Sequence, residues 1–183
     1  MAGEFRGRKL ASPPDAVRPT QDRVRQILFD ILGASVQEGA FLDLYAGSGA
    51  IGFEAMSRGA TALVQVELSR AARLVLERNR AALGLEAELL ATAVVDALPR
   101  LLAARRSYRW VAADPPYGGR EAWMVLSWFS GEGLSLLDDP GGLILETARD
   151  EALPEAVGAL ERTRRRDVGG SALHFYARKR EGT

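Results

Sequence analysis

The tetrapeptide Asp114-Pro115-Pro116-Tyr117 is the stretch most able to do chemistry. It sets a carboxylate, a carbonyl held stiff by two prolines and a flat aromatic face side by side. That set suits an exocyclic amino group on a nucleic-acid base. Such a nitrogen is a poor nucleophile, because its lone pair is delocalised into the ring. Two acceptors on its two hydrogens, here the Asp114 carboxylate and the Pro115 carbonyl, draw it toward tetrahedral geometry. The lone pair then points at an electrophilic methyl group. Asp114 can also receive the released proton. Tyr117 offers a face on which a base splayed out of its stack can lie. A rigid turn with an aromatic plug would use the same four residues.

A second constellation lies upstream, in Asp43-Leu44-Tyr45-Ala46-Gly47-Ser48-Gly49-Ala50-Ile51-Gly52. This glycine-rich loop follows an apolar run and opens a helical pattern, the context in which a G-x-G-x-x-G spacing carries weight. The glycines let the backbone approach a ligand and turn sharply into the helix. Glu67, twenty residues after Gly47, can accept from both ribose hydroxyls of an adenosine. The loop alone suits a dinucleotide or S-adenosylmethionine. Asp43 tilts the balance: its carboxylate would repel a pyrophosphate but can receive an ammonium or the loop's own amides. Asp96 can accept from an adenine amino group, or can cap a helix. The expected cofactor set is therefore Asp43, Ala46, Gly47, Gly49, Glu67 and Asp96. The expected cofactor is S-adenosylmethionine, leaving S-adenosylhomocysteine as product. No metal is expected: there is no cysteine, and one histidine, His174, does not make a metal site or a triad.

These residues need a scaffold that brings strand ends together. Alternating apolar runs and helical patterns give strands over Phe41–Tyr45, Ala62–Glu67, 87–92, Arg109–Ala113 and Gly142–Glu146. The helices between and after them span Ala50–Arg58, Ser69 to about Leu83, 96–104, 120–130 and 150–161. Arg165–Val168 and Ala172–Arg178 read as two antiparallel strands about Gly169-Gly170. The fold class is α/β: a Rossmann-like, doubly wound, mostly parallel seven-stranded sheet with an antiparallel terminal strand. One domain covers 1–183: a basic arm over 1–18, a helix over 19–33 and the core over 41–183. The arm holds Pro13 and Pro14 and has room for a short strand or hairpin near Phe5–Leu10. Thr20 caps the following helix and Gly33 ends it. Trp123 and Trp128 are expected in the core, His174 at the surface or on an edge.

Apolar residues make up 47% and charged residues 26% of 183, an ordinary globular balance. No apolar run approaches a membrane span and no secretory signal is present, so a cytoplasmic setting is expected. Net charge is zero, yet its distribution is uneven. Arg6 to Arg25 holds six basic residues against two acidic, and Arg162 to Arg180 seven against one. If these ends meet they form one basic surface. The Arg162–Arg166 cluster taken alone reads as a solvated face.

With these motifs placed, the chain resembles the class I S-adenosylmethionine-dependent methyltransferases of amino groups. Among them it is similar to the bacterial small-subunit ribosomal RNA guanine-N2 methyltransferases called RsmD. Gly3-Glu4-Phe5-Arg6-Gly7-Arg8-Lys9-Leu10 looks like that family's arm. Arg18-Pro19-Thr20-Gln21-Asp22-Arg23-Val24-Arg25 looks like its most specific signature. Phe41 through Gly59 looks like its cofactor segment, including Glu54-Ala55 and Ser57-Arg58-Gly59. The resemblance spans essentially the whole chain. It implies that Asp114, Pro115, Pro116 and Tyr117 hold a guanine, and that Arg6, Arg8, Lys9, Arg18, Arg23 and Arg25 touch RNA. It also implies a 16S ribosomal RNA substrate within the small subunit or an assembly intermediate, and a monomeric enzyme. Family members carry a few more apolar residues before the arm, so a first hairpin strand is expected to be missing. Three other readings stay open: a DNA adenine or cytosine amino-methyltransferase, a nicotinamide-dependent oxidoreductase, and a non-catalytic RNA-binding module.

Overall fold

All four residues of Phe41–Leu44 (β1) are buried, and a strand covered on both faces belongs in the middle of a sheet. It pairs in parallel with Leu63–Val66 (β2) on one side and Tyr108–Ala113 (β4) on the other. Glu88–Leu90 (β3) adds outside β2, and Leu137–Ala148 (β5) outside β4. The chain then reverses. Ser171–Arg178 (β8) lies antiparallel between β5 and Leu160–Val168 (β7), and Ala156–Val157 (β6) closes that edge. The order is β3-β2-β1-β4-β5-β8-β7-β6. All seven expected strands form, and β6 is an eighth. The computed structural model describes residues 1–11 and 18–180, with side chains after the arm from residue 21 onward.

Helices Arg18–Leu32 (α1), Ala50–Ser57 (α2) and Arg70–Leu83 (α3) cover one face, and Val94–Ala103 (α4) and Glu121–Phe129 (α5) the other. On α1, Val24, Leu28 and Leu32 recur at helical spacing and all three are buried. Ser69 caps α3 by accepting from Ala72 N, and Gly84 ends it at φ +67°. α1 begins at Arg18, ahead of the cap expected at Thr20, because Pro19 suits a first turn. The Thr20 and Arg18 side chains, like Pro13 and Pro14, lie outside the described residues.

Four expectations need correction. Residues 150–161 form no helix: Pro154 lacks an amide donor, and Gly158, at φ +50°, turns the chain from β6 into β7. Phe5–Leu10 forms no strand; Gly3–Phe5 is a 3-10 turn packed on α2. His174 is neither at the surface nor on an edge but fully buried in β8. Arg162 donates to its Nδ1 at 3.5 Å, so Nε2 carries the proton and faces Thr147 Oγ1 at 3.1 Å. Burial, then the charges of Arg165 and Arg162, lower its pKa to about 4, and the ring is neutral. Trp123 is 47% exposed, while Trp128 packs against the core as expected.

Candidate active site

β1 ends in a tight loop that only unusual backbone angles can form. Tyr45, Gly47 and Gly49 adopt φ of 62°, 56° and 83°, and a tyrosine in this region is a strained residue held by its surroundings. Ala46 N donates to Val66 O at 2.9 Å and Gly49 N to Ala46 O at 2.7 Å. The Glu67 carboxylate finishes the loop: Oε2 accepts from Gly47 N at 2.7 Å and Oε1 from Ser69 N at 2.6 Å. Each oxygen keeps a second lone pair for a hydroxyl. Asp43, 1% exposed, accepts from Gly52 N at 3.0 Å and Gln65 Nε2 at 3.3 Å. Burial raises its pKa to about 7, those two hydrogen bonds lower it, and the charge of Glu67 raises it. Gly52 is closely surrounded: a Cβ there would lie 2.7 Å from Gln65 Nε2 and 2.8 Å from Leu63 Cδ1, so both side-chain ends would have to move.

Strand register decides what stands next to this loop. Ala113 pairs with both Leu44 and Leu145, so Tyr45 and Asp114, just past the ends of β1 and β4, stand in register with Glu146 of β5. Asp114 is partly buried, Pro115 buried, and Tyr117 50% exposed. Burial first, then the charges of Glu146 and Asp43, push the Asp114 carboxyl up to about 8. Tyr117 Oη donates to Glu146 Oε1 at 2.7 Å and lies 2.8 Å from Ser171 Oγ. The tetrapeptide is therefore pinned at its far end to β5 and β8.

A cavity of about 480 Å³ joins the two motifs, with Asp43, Ala46, Gly47, Asp114 and Glu146 in its wall. The opposite wall is Gln21, Asp22, Val24 and Arg25 of α1, with Arg8, Lys9 and Leu10 of the arm. Two buried polar side chains hold that wall. Glu54 accepts from Ala2 N at 3.0 Å and Arg58 Nε at 2.9 Å, and stands 3.9 Å from Arg25 Nε. Asn79 accepts from Ala11 N at 2.8 Å and donates to Ala11 O and Ser48 O at 2.9 Å, tying arm to glycine loop.

The structure thus unites Asp43, Ala46, Gly47, Asp114, Arg8, Lys9 and Arg25 around one cavity, with Glu67 bonded to its loop. Asp96 is exposed in the first turn of α4, whose cap is Ala93. Pro116 and Arg6 are exposed outside the cavity wall, as is Arg23 on α1. Arg25 is spent in part on Asp22, at 2.8 Å, and on Glu54. The basic ends do meet: α1 packs on β7 and β8. Arg164 and Arg166 pair with Phe175 and Leu173, which pack on that same side of the sheet, and both arginines are exposed. Sequence reasoning missed Glu146, Asn79 and Tyr45. Glu146 was visible only as an acid ending an apolar strand; Asn79 falls at helical spacing with Leu76 and Leu83 on the buried face of α3, and a lone polar residue on that face was its one signal.

A parallel sheet reversed by an antiparallel pair, with a glycine loop after β1 and Asp-Pro-Pro-Tyr after β4, defines a class I methyltransferase. Two solved structures agree. The Escherichia coli protein yhhF, provisionally described as a methyltransferase, matches at TM-score 0.83 and 31% identity, over 98% of this chain and 96% of that one. A Thermus thermophilus protein of undescribed function, TTHA0928, matches at 0.78 and 33%, over 95% of each. The particular family follows from sequence. Residues 1–177 match the family described as conserved hypothetical protein 95. The E. coli ribosomal RNA small subunit methyltransferase D is 32% identical over 189 aligned positions, covering 100% of this chain and 90% of that protein. The chain belongs to this RsmD family.

Proposed function

We propose that the protein transfers a methyl group from S-adenosylmethionine to the exocyclic N2 of a guanine in 16S ribosomal RNA. The observation that carries this is the meeting of Asp114 with the glycine loop in one cavity. The cofactor fits that cavity chemically. A volume of about 480 Å³ is within the range of nucleoside-sized sites. Asp43 is a buried carboxylate with no cation paired to it among the described residues, and a ligand ammonium would supply one. Bound S-adenosylmethionine supplies a methyl group on a sulfonium, already activated for transfer. The protein's share is alignment. Asp43 and the loop amides take the amino-acid end and Glu67 the ribose. The Asp114 carboxylate and Pro115 carbonyl hold the two amino hydrogens, and Tyr117 supports the base. Asp96, exposed in the first turn of α4, accepts from the adenine amino group.

RNA approaches over the basic face. Arg6, Arg8, Lys9, Arg18 and Arg23 contact phosphate there, joined by Arg164 and Arg166. The substrate is the small subunit or an assembly intermediate, and the enzyme acts as a monomer in the cytoplasm. Among the described residues no helix is long and apolar enough to cross a membrane.

The test is transfer of labelled methyl from S-adenosylmethionine to small subunits lacking this modification. Naked ribosomal RNA and duplex DNA run in parallel, and the labelled nucleoside is identified after digestion. N2-methylguanosine from the subunits is expected. Label only in DNA, as methylated adenine or cytosine, would refute the substrate.

A further inference from the structure

The cavity holds a second acceptor that the proposed transfer does not use. Glu146 follows Leu145 within β5, and Asp114 follows its partner Ala113 at the end of β4. Neighbouring strands lie about 4.8 Å apart, so the two carboxyls are lateral neighbours. Glu146 is 8% exposed and lines the cavity. Its Oε1 accepts from Tyr117 Oη. A tyrosine has one hydroxyl proton, and this one is given to Glu146, so Ser171 Oγ must donate to Tyr117 in turn. The Ser171–Tyr117–Glu146 chain fixes the Glu146 side chain, and Oε2 has no protein partner among the described residues.

Two acceptor carboxyls side by side call for a row of donors on the ligand. The three amino-bearing bases differ on this point. In guanine the N2 amino group is flanked by the ring N1–H, a donor. In adenine and cytosine the amino group is flanked by a ring nitrogen lone pair, at N1 and N3 respectively. A carboxylate facing such a lone pair is repelled, and leaving it desolvated without a partner is costly. We propose that Glu146 is the specificity-determining residue of this site, its Oε2 accepting from N1–H and so selecting guanine over adenine and cytosine. The proposal rests on the guanine-N2 reading above and gives that reading a physical cause. Ser171 and Tyr117 act through Glu146, as positioning residues.

The experiment replaces the target guanine, once mapped, by 2-aminopurine in reconstituted small subunits. This base keeps the N2 amino group but presents a lone pair at N1. The wild-type enzyme is expected to prefer guanine by about 100-fold or more in kcat/KM. In Glu146→Gln the amide can donate to that lone pair, and the preference should shrink to within about tenfold. Any intrinsic difference in reactivity between the bases cancels when the two preferences are compared. Tyr117→Phe keeps the carboxylate but removes the hydrogen bond that fixes it, so it should slow both substrates and shrink the preference only in part. Cofactor affinity of Glu146→Gln, measured alongside, reports that the variant is folded. An unchanged preference in Glu146→Gln, with both rates lowered, would reduce Glu146 to a prop for Tyr117 and overturn the proposal. Equal use of both bases by the wild-type enzyme would overturn it without any variant. Failure of the guanine-N2 reading shows separately, as no N2-methylguanosine in unsubstituted subunits, and takes this proposal with it.

Discussion

Replacing Asp43 by asparagine should make the cofactor-free protein more stable at neutral and alkaline pH while removing its activity. Asp43 is 1% exposed, and burial holds its pKa at about 7 against 3.8 for a free aspartate. Between those two values the unfolded chain has released the proton and the folded chain has kept it. Stability therefore falls as pH rises through this window and levels off above the folded pKa. Each pH unit costs about 1.4 kcal/mol, so the two units from pH 5 to pH 7 cost roughly 3 kcal/mol. The substituted asparagine carries no titrating proton, and its amide oxygen can still accept from Gly52 N and Gln65 Nε2. The assay is urea unfolding of both proteins at pH 5 and pH 8. Asp114 titrates in both, so its contribution largely cancels in the difference. The difference should move by roughly 3 kcal/mol in favour of Asp43→Asn, which at about 1–3 kcal/mol per molar urea separates the midpoints by roughly 1–3 M. Cofactor affinity should fall at the same time, because the cavity loses the carboxylate that an ammonium would neutralise. A difference that stays constant from pH 5 to pH 8 would refute the reasoning, since it would mean that Asp43 is ionised throughout.

Further outcomes follow from the same geometry. Asp114 is held at about 8 by burial and by the charges of Glu146 and Asp43, so its accepting, ionised form grows as pH rises. The rate should climb from pH 6 toward pH 8, and Asp114→Ala should lose about 100-fold or more in kcat with cofactor affinity within about threefold. An equal loss of affinity would remove the role given to Asp114. Gly52→Ala forces a Cβ to 2.7 Å from Gln65 Nε2 and should cost about 1–3 kcal/mol by thermal or urea unfolding, with weaker cofactor binding. Unaltered stability would show that the loop gives way there. Asn79→Ala removes three hydrogen bonds between α3, the arm and the loop. It should destabilise the protein by roughly 2–3 kcal/mol and raise amide exchange in residues 1–11. Unchanged exchange in the arm would mean that Glu54, accepting from Ala2 N, and Ser57, whose Oγ accepts from Phe5 N at 2.8 Å, hold it alone.

What the sequence determined is local and short-range. The three apolar residues of β1, the glycines after it and the two prolines after β4 each restrict the backbone within a few residues. Their order along the chain is enough to set a doubly wound sheet and to put both motifs at its carboxyl edge. The same logic failed over 150–161, where helical spacing was overridden by Pro154 and by pairing with β7, and at His174. There, one polar residue among apolar ones does not say whether its strand is central. Tertiary structure alone decided the rest. The register of β4 against β1 and β5 put Glu146 beside Asp114 across a long stretch of sequence. The packing of α1 on β7 and β8 turned two separate basic ends into one face. Asn79 gained its role only when arm and loop were brought to it. Burial, which no single residue type encodes, raised Asp43 and Asp114 out of the ordinary carboxylate range. A neighbour list in three dimensions sets the dielectric and the charges around a carboxyl group, and that list exists only once the chain has folded.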